Sequence, residues 1–247
     1  MIITNTAELN GMVEICRIVA LVLQHMGKAI EPGMTTAELD EIGHAVLASY
    51  GARSAPIACY KFPGHTCISV NEEVAHGIPG PRIIAKGDIV NIDVSAVKDG
   101  FFGDTAATFA VPPVRARTQK LLDCAERALI KACNAAQSGQ PINRIGRAVE
   151  KEAHKSGYTT IRNLCGHGVG LTLHDEPEGI NNYYDKRDKR LLQKGMTLAI
   201  EPFISEKEQY VSELADGWTL KTPNDSVVAQ FEHTVMVLEN DPLILTL

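Results

Sequence analysis

Asn91-Ile92-Asp93-Val94-Ser95-Ala96-Val97-Lys98-Asp99-Gly100-Phe101-Phe102-Gly103-Asp104 decides how this chain is read. The first part alternates as a half-buried strand does, Asp99-Gly100 is a hairpin-turn dipeptide, and Asp104 lies on the returning strand. A turn over Val97 to Gly100 pairs residue 97 with 100, 96 with 101 and 93 with 104. Two carboxylates then face each other at roughly 4.5–5.5 Å between Cβ atoms. Like charges opposed across a sheet repel, so a cation is expected between them. No Lys or Arg stands close by on these strands, and Lys98 is at the turn. A bound metal ion is the economical partner.

Outward from the hairpin, the chain alternates helix pairs with strands. Asn5-Thr6-Ala7-Glu8 reads as a capping box opening a helix to about Gly27, and Thr35-Thr36-Ala37-Glu38 opens a second that ends near Gly51. Thr66 to Val70, Ile89 to Val97 and Phe101 to Val111 read as strands, and Pro112-Pro113 stops the first half. Helices over about Arg117 to Ala136 and Ile142 to Ser156 follow, then strands at Met196 to Glu201 and Val227 to Val237. Ile42-Gly43-His44-Ala45-Val46 and Ile145-Gly146-Arg147-Ala148-Val149 share the pattern I-G-x-A-V at corresponding places. The expectation is one catalytic domain over 1–247, built of two related halves, about 1–113 and 114–247.

With 247 residues the chain can bury a substantial core. Its net charge of −6 argues against a nucleic-acid backbone as partner. The six cysteines have no C-x-x-C spacing and read as reduced thiols. Ile18 to Leu23 is too short to span a membrane and the N-terminus has no basic n-region. A cytoplasmic protein, monomeric and without a membrane partner, is expected.

Asp93, Asp104, His167, Glu201 and Glu232 stand out as polar residues on apolar strands. A lone carboxylate buried there would be costly, and the strands offer no Lys or Arg to match the set. Four carboxylates balance two divalent cations, and His167 can ligate as neutral imidazole. Two such ions about 3.5–4 Å apart form a hydrolytic arrangement; Mn, Fe, Co and Zn all suit these donors. His167 lies in Gly166-His167-Gly168-Val169-Gly170, which lacks the phosphate-binding spacing G-x-G-x-x-G and a Walker Lys-Ser/Thr. His174, seven residues on, would face away from His167 on a regular strand, so the glycines are expected to bend the path.

NEEVAHGIP (71–79), NIDVSAVKDGFFGDTA (91–106), GHGVGLTLHDEP (166–177), AIEPF (199–203) and QFEHTVMV (230–237) together resemble the type I methionine aminopeptidases. The resemblance covers almost the whole chain. It implies an α+β pita-bread fold, two pseudo-symmetric helix-helix-strand halves around a curved, mostly antiparallel sheet. It also implies removal of the initiator methionine from nascent polypeptides by a hydroxide held on a dinuclear metal centre. Asp93 would chelate one ion, His167 and Glu201 the other, and Asp104 and Glu232 would bridge them. Glu201 would assist as general base, His174 would stabilise the carbonyl oxygen, and His76 would contact the substrate near the scissile nitrogen. The substrate amino group would bind at the metals, restricting cleavage to the first residue. By position, Cys59, Phe62, Cys67, Leu173 and Trp218 would line the methionine pocket. Several relatives carry tyrosine in place of Phe62 and an aromatic residue in place of Leu173.

Three other readings compete. A peptidase of this fold acting on X-Pro bonds would usually carry a further N-terminal domain. A non-catalytic binding protein of the fold would have lost metal ligands, whereas the resemblance keeps all five. A phosphate-binding protein would need a cradling motif that is absent.

Overall fold

Asp99 (φ 51°) and Gly100 (φ 85°) both occupy the left-handed region, so the hairpin closes on a two-residue primed turn. Lys98 pairs with Phe101, and the ladder of strands Ile89–Lys98 and Phe101–Ala110 runs unbroken to Ile89 opposite Ala110. The expected register is corrected by this turn. Asp93 lies opposite Ala106, and Asp104 opposite Ser95. Centring the turn one residue further on moves every partner by two, which preserves the face. The aspartates are therefore diagonal neighbours on one face, within reach of each other.

The computed structural model describes residues 1–247 as five helices and fifteen strands, an α+β arrangement with antiparallel sheets. Helices α1 (Thr6–Ala29) and α2 (Thr36–Ser49) begin at side-chain caps from Asn5 and Thr35, the latter a full capping box with Glu38. α1 packs on both hairpin strands and α2 packs on α1. Met12, Ile15, Val19 and Val22 interleave with Ile68, Val90, Ile92 and Val94 in one buried core. After a short α3 (Ala55–Tyr60), a second helix pair, Ala116–Asn134 and Asn143–Lys155, covers a second core. Here Leu121, Ala125 and Leu129 of α4 (Ala116–Asn134) and Ile145 and Val149 of α5 (Asn143–Lys155) meet Leu198, Ile200 and Val235. The two I-G-x-A-V copies lie on α2 and α5, the second helix of each pair.

The two cores join where the hairpin meets strand His233–Met236. The Asp104 amide donates to Thr234 Oγ1 at 3.1 Å, and that hydroxyl donates to the Asp104 carbonyl at 2.7 Å. Thr105 donates to the Glu232 carbonyl at 2.9 Å, while the Glu232 amide donates to the Ala106 carbonyl at 2.8 Å.

That last bond corrects the expected continuous strand over 227–237. It divides at Phe231 and Glu232 into Val228–Gln230, paired with Phe203–Ser205, and His233–Met236, paired with Thr197–Ile200. The strand expected over 196–201 runs from Thr197 to Ile200, and a new one starts at Phe203, because Pro202 has no amide to continue a ladder. Glu201 and Glu232 thus sit side by side at the point where two strands pass from one sheet to the next. α3 was not anticipated; Ser54 caps it by accepting the Ile57 amide at 3.3 Å, with Pro56 in its first turn.

Candidate active site

Asp93, Asp104, His167, His174, Glu201 and Glu232 line one cavity of about 400 Å³, drawn from the hairpin, from strand Cys165–Gly168 and the loop that follows it, and from the two sheet-crossing points. Asp104, His167 and Glu232 are buried, and one ligand atom from each lies within 4.8 Å of the others. His167 Nε2 is 3.5 Å from Glu201 Oε1 and 3.8 Å from Asp104 Oδ2. The other ring nitrogen, Nδ1, stands 2.9 Å from the Gly168 carbonyl, the bond that turns Nε2 and its lone pair toward the carboxylates.

The charges are unbalanced. Burial raises the Asp93 carboxyl to about 7. Burial, then the Glu232 and Asp93 charges, pushes Asp104 well above the carboxylate range. Glu201 and Glu232 are raised for the same reasons, burial first and neighbouring carboxylates second. Burial beside His174 takes His167 down to about 4, so its imidazole is neutral at pH 7. No Lys or Arg lines the cavity. Asp104 Oδ1 and Glu232 Oε1 are buried with no hydrogen-bond partner, although each could accept one. Buried carboxylates crowded without a cation, two orphaned oxygens and a neutral imidazole form a donor set that fits divalent metal ions.

His174 is brought back to His167 as the sequence requires. The chain leaves its ladder after Gly168 and re-enters at strand Asp175–Asn181, leaving the two rings 4.2 Å apart. Gly168 makes this possible. A Cβ there would stand 2.2 Å from the Glu176 carbonyl oxygen. Gly168→Ala is expected to destabilise the protein by about 1–3 kcal/mol, the usual cost of overpacking, and to lower activity by displacing His167. Urea melts and rates with the same preparation check both; a variant unchanged in stability would show that the strand yields freely.

Tyr60 was not anticipated. Its hydroxyl lies 2.5 Å from His174 Nδ1, at the C-terminal end of α3. Only recognition of the Ser54-Ala55-Pro56 helix start could have pointed to it. His76 also lines the cavity and holds a left-handed backbone (φ 55°), a conformation retained where surroundings dictate it.

Of the five expected pocket residues, four line the apolar end of the cavity. Phe62, Cys67 and Leu173 are buried, and Trp218 meets Phe62 edge to face with ring centroids 5.2 Å apart. Cys67 pairs directly with Asp93 across the sheet, so the apolar end adjoins the carboxylates. Cys59 is the exception: it is exposed and outside the lining. Neighbours on a helix point about 100° apart, and at the end of α3 it is Tyr60 that turns inward.

The family model described as Metallopeptidase family M24 matches residues 10–239. The chain is 51% identical to methionine aminopeptidase 2 of Bacillus subtilis, covering all of this chain and 99% of that one. It is similar to the crystal structure of methionine aminopeptidase from Rickettsia prowazekii, with TM-score 0.94, 34% identity and full coverage of both chains. A prolidase from Pyrococcus furiosus shares the fold alone, at 23% identity and TM-score 0.80, with 65% of its length covered.

Proposed function

The chain belongs to metallopeptidase family M24, and from that membership we propose that it is a type I methionine aminopeptidase that removes the initiator methionine from nascent polypeptides. Its architecture is the pita-bread fold of that family. We read the chain as a single catalytic domain of two related halves. Asp93, Asp104, His167, Glu201 and Glu232 would hold two divalent ions, of Mn, Fe, Co or Zn. Asp93 would serve one, His167 and Glu201 the other, and Asp104 and Glu232 would be shared. When bound, such ions supply Lewis acidity toward the scissile carbonyl and an activated water.

The observation that carries the reading is the adjacency of the apolar pocket to the carboxylates. A methionine side chain fits among Phe62, Leu173, Trp218 and the Cys67 thiol, all of which suit a polarisable thioether. Its α-amino group and first peptide bond then lie at the Asp93 end, because Cys67 is the cross-strand partner of Asp93. Glu201 is the general base that takes the proton of the attacking water. His76 contacts the scissile nitrogen. Burial lowers the His174 imidazole below its ordinary value, favouring the neutral ring. We assign the Tyr60 hydroxyl, next to Nδ1, as the donor of that bond, which puts the ring proton on Nε2, where it can meet the negative charge developing on the carbonyl oxygen.

Type I is supported by the 33 residues between His167 and Glu201, which contain no helix. No helix of the protein is long and apolar enough to cross a membrane. We assign it a cytoplasmic, monomeric role, without a nucleic-acid or membrane partner.

Cleavage of Met-Ala-Ser in preference to Ala-Pro peptides tests the substrate, and the reverse preference would overturn it. His174→Ala is expected to lower kcat by roughly 10²–10³-fold, more than it raises KM, because its contact strengthens in the transition state. Tyr60→Phe removes one hydrogen bond to that ring and is expected to cost roughly tenfold in kcat. If Tyr60→Phe left kcat unchanged while His174→Ala reduced it, Tyr60 would have no part in setting the tautomer.

A further inference from the structure

We propose that Glu41, His44 and His65 form a second metal site, separate from the catalytic carboxylates, for a borderline divalent ion such as Zn(II). Glu41 and His44 stand one turn apart on the same face of α2, with Glu41 Oε2 3.6 Å from His44 Nδ1. His65 comes from the loop that leads into strand Cys67–Val70, and its ring stacks on His44 with centroids 3.7 Å apart and planes 4° from parallel. One ligand atom from each of the three residues lies within 4.8 Å of the others.

Zinc–ligand bonds of about 2.0–2.2 Å place donors in a tetrahedral site roughly 3.3–3.5 Å apart. Each ring's lone pair lies in its own plane, so sharing one ion requires the His44 ring to turn out of its stack on His65; His44 and Glu41 are exposed on the helix surface and can rotate to do so. The His65 backbone is already held in place. The buried Asp40 carboxylate, four residues before His44 on α2, accepts the His65 amide at 2.9 Å and the Thr66 amide at 2.8 Å. It also accepts the Thr66 hydroxyl at 2.7 Å. The helix that carries two of the donors therefore also pins the backbone that presents the third.

The chemistry separates this site from the catalytic cluster. Two imidazoles and one carboxylate favour Zn, Ni or Cu over harder ions, and three protein donors leave a fourth position for water or an external ligand. An ion held there ties α2 to the loop carrying Phe62 and ending at Cys67, which forms one wall of the pocket.

Equilibrium dialysis against Zn(II), followed by metal analysis, tests the assignment on the full chain. His44→Ala protein, altered only on an exposed helix face, is expected to bind one Zn fewer per chain than the parent while releasing methionine at the parent rate. Addition of Zn(II) to ¹⁵N-histidine-labelled protein is expected to shift the ring nitrogens of His44 and His65, in the parent and equally in Asp104→Asn protein. An unchanged zinc count in His44→Ala, or ring nitrogens that do not respond, overturns the proposal. Neither readout depends on the peptide specificity proposed above, so the two can fail separately.

Discussion

Asp104→Asn and Glu232→Gln are each expected to lower kcat/KM for methionine release by at least about 10³-fold, the upper end of the loss from deleting one preorganised electrostatic group. An amide keeps the shape of the side chain but removes its charge and one acceptor oxygen. Each of these residues holds a buried oxygen with no partner in the protein, Asp104 Oδ1 and Glu232 Oε1. On the proposed assignment both residues are shared between two ions, so either change weakens both sites at once. Steady-state kinetics with metal content measured on the same samples is the check. Near-normal turnover in either variant would remove the shared-ligand role.

In chelated protein the same Asp104→Asn substitution is expected to raise Tm, by roughly 5–10 °C for a few kcal/mol in a chain of this size. The cause is the uncompensated crowding of Asp93, Asp104, Glu201 and Glu232: burial raises all four carboxyl groups, and neighbouring carboxylates raise Asp104, Glu201 and Glu232 further. The sign follows from proton binding. Folded carboxyl groups with raised values hold protons that unfolded ones release, so folding weakens as pH rises above the ordinary carboxylate range, from about 4. For Asp93 that loss is complete once pH passes its folded value of about 7. Metal-free parent protein is therefore expected to melt progressively lower between pH 4 and 8, and Asp104→Asn to flatten that slope. Divalent metal should reverse the ranking, stabilising the parent most. Calorimetry with and without chelator reads all three effects. A lower Tm for chelated Asp104→Asn would mean that the cluster is compensated by something other than a cation.

The two predictions oppose each other on one residue, as expected where a site is built for a ligand at the expense of the empty fold. They also show which parts of the centre could be read in advance. The carboxylates and His167 were legible because a charged group on an apolar strand conflicts with its setting, whatever the fold around it. Tyr60 was not, because a tyrosine ending a short helix conflicts with nothing. Cys59 was placed in the pocket by position alone, and the direction of one helical turn moved that place to Tyr60.

What the sequence determined by itself was local. Caps at Asn5 and Thr35 started the first two helices, alternation marked the hairpin strands, and Asp99-Gly100 marked the turn. The shared face of Asp93 and Asp104 also followed, since a two-residue error of register leaves a strand's faces unchanged. The register was local turn chemistry too, since Asp99 and Gly100 both take left-handed backbone as the two central residues of a primed turn. Tertiary structure alone divided the strands at Glu201 and Glu232, since the Glu232 amide bonds to Ala106 more than a hundred residues away. It also joined His174 to Tyr60 and His44 to His65. Periodicity records which face of an element is buried, whereas a contact between distant segments leaves no period to read.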